Sequence, residues 1–283
     1  MKSLVTLALL SLLFSCQGTT PDESSMKTGA LEGNLKVAAP VVESKEKPLL
    51  SLDSLPVWPS MLTTRYLSGR FTHNDREDIV AVPEQLTDGD GTYYLHADAL
   101  MAFTKMHAAA KKDGVSLEIV SAFRNFDRQK AIWEAKWNGK RLLEGKEKAN
   151  EAYPDPAKRA LAILRYSSMP GSSRHHWGTD LDLNRLNNKY FASGEGLKTY
   201  NWLTTNASTY GFCQPYTANS NERPHGYQEE KWHWSYLPVA RQLTDFARDY
   251  LTYDLIQGFD GAESAEEIKV VERYVLGINK ECL

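Results

Sequence analysis

Helical and strand-like segments follow one another in an order that favours an α+β domain, a mostly antiparallel sheet flanked by helices. Three observations carry this: apolar residues recur at helical spacing in several windows, short alternating runs stand between them, and regular βαβ alternation is missing. Residues 96–112 place Leu100, Phe103, Met106 and Ala110 on one stripe, and Asp113-Gly114 stops the helix. Residues 116–123 (SLEIVSAF) read as a strand. Residues 125–137 read as a helix with Asn125 as N-cap and Phe126, Trp133 and Trp137 on one face. Further on, 179–183 alternates as a short strand and 202–210 reads as a helix ending at Gly211. Residues 212–216 and 232–236 read as two more strands. From Pro238 the chain is mainly helical, with a break near residues 258–261.

Composition supports a real core. Of 283 residues, 42% are hydrophobic and 11% aromatic, which argues against disorder along most of the length. The 33 basic and 36 acidic side chains leave a net charge of −3, whereas a general nucleic-acid binder carries a basic excess. No nucleic-acid partner is expected. Seven His and three Cys leave room for a His/carboxylate metal site but exclude a zinc module closed by four cysteines.

Residues 1–15 read as a signal peptide: Met1-Lys2 precedes an apolar run from Leu4 to Phe14. The run is shorter than the roughly 20 residues a membrane span needs. Leu13-Phe14-Ser15-Cys16 resembles a bacterial lipobox, which implies lipidation at Cys16. Residues 16–56, rich in Ser, Thr, Pro, Glu and Lys, read as a flexible tether, and 57–283 as one domain. The expected location is the bacterial cell envelope, exported and held to a membrane by lipid. In that oxidising compartment Cys213 and Cys282 could pair.

The chemistry concentrates in three segments. In Ser173-Arg-His175-His176-Trp-Gly178-Thr-Asp180-Leu-Asp182, His175 and Asp182 can converge on one ion if a turn at Gly178 leads into the strand of Asp182. His176 is a rival for His175 on spacing alone. Glu230-Lys-Trp-His233 can supply a third ligand and a base, and three N/O ligands leave a fourth position open, as in catalytic zinc sites. Positions i and i+3 of a strand face opposite ways, so Glu230 belongs in the bend before His233 rather than on its strand. In Ser121-Ala-Phe-Arg124-Asn-Phe-Asp-Arg-Gln129, Arg124 suits an anionic group or an oxyanion. A polar Gln129 on an apolar helix face needs a backbone or ligand partner.

Ser-x-His-x-x-Gly-x-x-x-Asp, then Glu-x-Trp-His-Trp, preceded by Ser-x-x-Arg-x-x-x-x-Gln, resembles the VanY-type D-alanyl-D-alanine carboxypeptidases. Trp202-Leu-x-x-Asn206-Ala-x-x-Tyr210-Gly211-Phe212 and Tyr216 extend the likeness over residues 94–236. The resemblance implies the D-Ala-D-Ala metallopeptidase/hedgehog-like fold and one zinc ion held by His175, Asp182 and His233. It makes Glu230 the catalytic base, with Arg124 beside it. Ser121, Arg124, Gln129, Ser173 and Tyr216 would line the substrate pocket. The implied substrates are peptidoglycan stem peptides ending in D-alanine. A cell-wall endopeptidase or L,D-carboxypeptidase on the same scaffold, and a non-catalytic zinc-bearing wall-binding domain, stay open beside the D,D-carboxypeptidase reading. Asp180 departs from the Ala of many relatives and should share a strand face with Asp182; it either orients a ligand or competes for the metal.

Overall fold

The structure, a computed structural model, describes residues 61–283. The signal peptide (1–15), lipidation at Cys16 and the tether (16–56) lie outside the described residues.

Within them the α+β architecture is borne out. A one-turn helix, α1 (Thr64–Leu67), is capped by Thr63 and buries Tyr66 and Leu67. Strand β1 (Ile79–Ala81) pairs antiparallel with β2 (Tyr94–His96) in a small two-stranded sheet. His96 then caps α2 (Ala97–Lys112), its Nδ1 accepting the Asp98 N–H at 3.2 Å. The buried stripe of α2 is Ala99, Phe103, Met106 and Ala110. After β3 (Ile119–Ser121), Asn125 caps α3 (Phe126–Trp137) by accepting the Arg128 N–H at 2.9 Å. Two short helices follow, α4 (Ala149–Ala152) and α5 (Pro156–Ile163). Asp155 caps α5 and Pro156 opens it, a position where the missing N–H costs nothing.

The main sheet adds β4 (Asp180–Leu183), β5 (Phe212–Cys213) and β6 (His233–Tyr236) to β3, in the order β3-β4-β6-β5, every neighbour antiparallel. Between β4 and β5 runs α6 (Gly194–Asn206), continued by a 3-10 turn to Tyr210. Helix α7 (Leu237–Tyr250) and short α8 (Ser264–Ile268) complete the helical C-terminal part. The two central strands are covered on both faces: every residue of β4 and of β6 is buried.

Three expected spans differ in extent. The strand expected over 212–216 pairs only at Phe212 and Cys213, because Pro215 has no N–H for a ladder. The helix expected from 202 begins at Gly194, eight residues earlier by the numbering, despite two glycines. Gly196 is there for close approach: a Cβ on it would lie 2.0 Å from the Tyr190 carbonyl oxygen. The strand expected over 116–123 pairs only at 119–121.

Cys213 and Cys282 form a disulfide with Cα atoms 5.7 Å apart. It ties the C-terminal segment to β5, and the Asn279 N–H adds a bond to the Pro215 carbonyl at 2.8 Å. Among the described residues no helix is long and apolar enough to cross a membrane.

Candidate active site

Strand register builds the centre of the site. Ser121 of β3 pairs with Asp182 of β4, and Asp182 pairs with His233 of β6. Directly paired residues share a sheet face, so the three form one row. Asp180, two residues before Asp182, stands on the same face. His175 enters from the 3-10 turn Arg174–Trp177, which Gly178 closes at φ +69° before β4 begins. A Cβ on Gly178 would meet the Ile79 Cδ1 at 2.7 Å and the His96 backbone N at 3.1 Å, so the turn requires glycine. The turn is pinned from α1, where the Tyr66 hydroxyl donates to the Trp177 carbonyl at 3.0 Å and the Trp177 indole donates to the Leu67 carbonyl at 3.2 Å.

Backbone and carboxylate partners fix each imidazole. His175 Nδ1 lies 2.8 Å from the Ala122 carbonyl and must donate to it, which leaves Nε2 a lone pair directed to Asp182 Oδ2 at 3.4 Å. His233 Nε2 donates to Asp180 Oδ2 at 2.8 Å. Its Nδ1 then faces Asp182 Oδ1 at 3.0 Å and Glu230 Oε2 at 3.4 Å. Glu230 occupies the bend before β6, and its carbonyl accepts the His233 N–H at 3.2 Å. His176 is the neighbour that faces elsewhere: its Nδ1 donates to the Arg124 carbonyl at 2.6 Å and its Nε2 accepts the Gly171 N–H at 3.0 Å. With both nitrogens used and burial pushing its pKa down to about 3, His176 is a neutral brace.

One donor atom each from His175, Asp182 and His233 lies within 4.8 Å of the others, and all three residues are buried. The chemistry of this set fits a metal ion. Asp182 Oδ1 has no hydrogen bond and faces a ring nitrogen whose partner atom already holds the proton. Two lone pairs in contact repel unless a cation lies between them. Ligands about 2.0–2.1 Å from a tetrahedral zinc sit about 3.4 Å apart, close to the 3.4 and 3.0 Å that separate Asp182 from the two imidazoles. Burial opposes charge on His233, yet Asp180, Asp182 and Glu230 together lift its pKa well above the ordinary value. The three carboxylates therefore favour positive charge at this point, whether carried by a proton on Nδ1 or by a metal ion in its place.

Burial also raises Glu230 above its ordinary 4.5, with the His233 contact opposing. For Asp180 burial is again the largest influence and acts the same way, but Arg174, His233 and His175 together outweigh it and hold the carboxyl well down. Arg174 is fully buried: Nε donates to Asp180 Oδ2 at 3.2 Å, one terminal nitrogen to Thr244 Oγ1 at 2.8 Å and the other to Ser235 Oγ at 3.0 Å. Its guanidinium carbon also stands 4.5 Å from the Trp177 ring centre. Ser235 Oγ in turn donates to Asp180 Oδ1 at 2.6 Å. Asp180 thus orients His233 rather than entering the donor set.

A cleft of about 920 Å³ opens over this group, with His175, Asp182, Glu230 and His233 in its wall. Residues 92–239 match the family model for VanY, D-alanyl-D-alanine carboxypeptidase. The chain belongs to the VanY family. Over 150 residues it is 31% identical to a Bacillus subtilis protein named as a carboxypeptidase, YodJ, covering 51% of this chain and 46% of that one. Over 134 residues it is 29% identical to a D-alanyl-D-alanine carboxypeptidase of Enterococcus faecalis, covering 46% and 44%. The match thus spans just under half the length of each of these relatives. Among solved structures, the LdcB LD-carboxypeptidase is similar at 24% identity and TM-score 0.44, covering 68% of this chain and 79% of that one. VanYB in complex with D-alanine-D-alanine is similar at 23% identity and TM-score 0.42, covering 62% and 91%.

Of the pocket residues that the VanY resemblance implied, Ser121, Arg124, Gln129 and Tyr216 line the cleft. Arg124 donates to Ser121 Oγ at 3.3 Å, while its buried Nε has no partner among the described residues. Gln129 donates to the Ser168 carbonyl at 2.8 Å, which answers half of its polar need; its buried Oε1 is unpartnered among the described residues. Tyr216 packs its ring 4.6 Å from that of His233. Ser173 is buried behind the His175 turn and is not part of the cleft wall. Sequence reading missed Tyr227, which lines the cleft and packs edge-on against Tyr216 with ring centres 4.8 Å apart. The long 214–227 connection that carries both tyrosines is organised by Arg223, which donates to the carbonyls of Thr217, His225 and Tyr227 and to Asn219 Oδ1. No spacing rule marks such a residue.

Proposed function

We propose that this chain is a zinc-dependent D,D-carboxypeptidase that removes the terminal D-alanine from peptidoglycan stem peptides. The observation that carries the reading is the convergence of one donor atom each from His175, Asp182 and His233 within 4.8 Å, with Glu230 Oε2 3.4 Å from His233 Nδ1. Zinc held there would bring a water pKa near 7 and polarise a peptide carbonyl. Glu230, buried and raised in pKa, takes a proton from the attacking water and passes it to the departing amine. Arg124 offers charge to the substrate's terminal carboxylate or to the developing oxyanion, and Gln129 Oε1 offers an acceptor beside it.

The test is mass spectrometry of defined stem peptides incubated with the zinc-loaded protein. Loss of one D-alanine from a pentapeptide is expected. Release of the terminal residue from a tetrapeptide alone would assign L,D specificity, and internal cleavage an endopeptidase.

An exported domain fits this reading. Residues 1–15 would be a signal peptide, Cys16 the lipidated residue, 16–56 a tether and 57–283 the catalytic domain. The disulfide supports an oxidising compartment, where the wall substrate also resides. Cys16→Ser should abolish acyl labelling and release the protein from membranes.

A further inference from the structure

The whole chain is slightly acidic, at −3, yet the cleft wall carries six cations (Arg124, Arg128, Lys136, Arg141, Lys146, Lys189) against three acids. Two of those acids, Asp182 and Glu230, belong to the metal group. The third, Glu144, is taken by Arg165 at 2.8 Å. None of the six cations forms an ion pair among the described residues; Lys136 instead donates to Ser167 Oγ at 2.6 Å.

Helix α3 sets where these charges fall. Arg128, Ile132 and Lys136 recur every four residues and all line the cleft. Lys136 lies seven residues beyond Gln129, about 10 Å along the helix axis at the ordinary helical rise. One amino acid spans at most about 3.6 Å. In the proposed reading Arg124 and Gln129 hold the departing residue, which leaves the other cations of the wall, Lys136 among them, to the remainder of the peptide. Burial, then repulsion from Arg141, pushes the Lys136 pKa down to about 8, with Glu144 and Glu230 opposing.

We propose that Lys136, Arg141 and Lys146 read free carboxylates on the acyl side of the scissile bond, so that acidic stem peptides are selected over their amidated forms. This rests on the carboxypeptidase reading of the same site.

The test uses two fluorescent pentapeptides ending in D-Ala-D-Ala, identical except that the acyl-side carboxylates of one are carboxamides. Binding is followed by anisotropy with zinc-loaded, full-length Glu230→Gln protein, and cleavage of both peptides with wild type. The acidic peptide should bind about tenfold more tightly, equivalent to roughly 1.4 kcal/mol. Raising salt to 1 M, where the screening length is about 3 Å, should remove most of the difference. Lys136→Gln combined with Arg141→Gln should remove it too, without weakening the amidated peptide. Arg141 is exposed, so Arg141→Gln alone gives a partial loss even if the half-buried Lys136 position does not tolerate change. Equal binding of the two peptides, or tighter binding of the amidated one, would overturn the inference. Wild-type cleavage of either peptide would then leave the enzyme reading intact. Absence of cleavage would instead count against the enzyme, and the binding ratio would still decide the role of the wall.

Discussion

Asp180 Oδ2 stands 2.8 Å from Nε2 of His233, on the far side of the ring from Asp182, whose Oδ1 is 3.0 Å from Nδ1. One aspartate thereby assigns the proton and leaves the other nitrogen bare for a metal. Arg174 keeps Asp180 ionised so that it remains an acceptor.

From this arrangement Asp180→Asn should weaken zinc binding although Asp180 is no ligand. A carboxamide can present its NH₂ to Nε2, which favours the opposite tautomer and puts a proton on Nδ1. Loss of such an outer partner costs about 10- to 100-fold in metal affinity. Chelator competition on the purified variant measures it. Affinity equal to wild type would show that the ring is fixed by other contacts.

His175→Ala should lose zinc, whereas His176→Ala should keep it and lose stability. His176 holds two backbone groups, and removing a buried hydrogen-bonding partner costs about 1–3 kcal/mol for each group stranded. Metal analysis and thermal melts of the two variants separate the roles. Zinc loss confined to His176→Ala would reverse the assignment.

The residues that carry the site were legible because their chemistry is tied to spacing. A glycine turn between His175 and Asp182, and an acid three before His233, leave few ways to fold. Arg174 was not legible: the Ser-x-His spacing leaves its position unspecified, and its partners Ser235 and Thr244 are 61 and 70 residues away in sequence. Lys136 was hidden because it rides the same helix as Trp133 and Trp137, whose burial dominates the pattern. Strands β1 and β2 escaped notice because three paired residues are too few for alternation to register.

Reduction of Cys213–Cys282, or Cys282→Ser, should cost stability and also substrate affinity. The bond joins residues 69 apart, and losing such a link costs about 2–5 kcal/mol, a fall in Tm of roughly 5–15 °C for a domain of this size. The affected tail also bonds to Gln214 and Pro215 through Asn279, immediately before Tyr216 in the cleft. Calorimetry with and without reductant, beside KM for a D-Ala-D-Ala peptide, reads both effects. An unchanged Tm would mean that packing alone holds the tail.

Glu230→Gln isolates chemistry from binding. The amide keeps volume and reach but cannot accept the proton, so single-turnover hydrolysis should slow by about 10²- to 10⁴-fold, roughly 3–5.5 kcal/mol. Zinc content should persist, because His175, Asp182 and His233 are untouched. The pH profile adds a signed expectation. Glu230 works as a base only when deprotonated, and burial raises its pKa above 4.5. Activity should therefore climb with pH along an acid limb as the carboxyl loses its proton, and fall on the acid side as it takes the proton up. The residual activity of Glu230→Gln should lack that limb. Should the variant retain both the wild-type rate and the limb with zinc in place, the proton acceptor is another group. Asp180 would be a poor replacement, since against its burial Arg174, His233 and His175 together hold its carboxyl well below the usual carboxylate range.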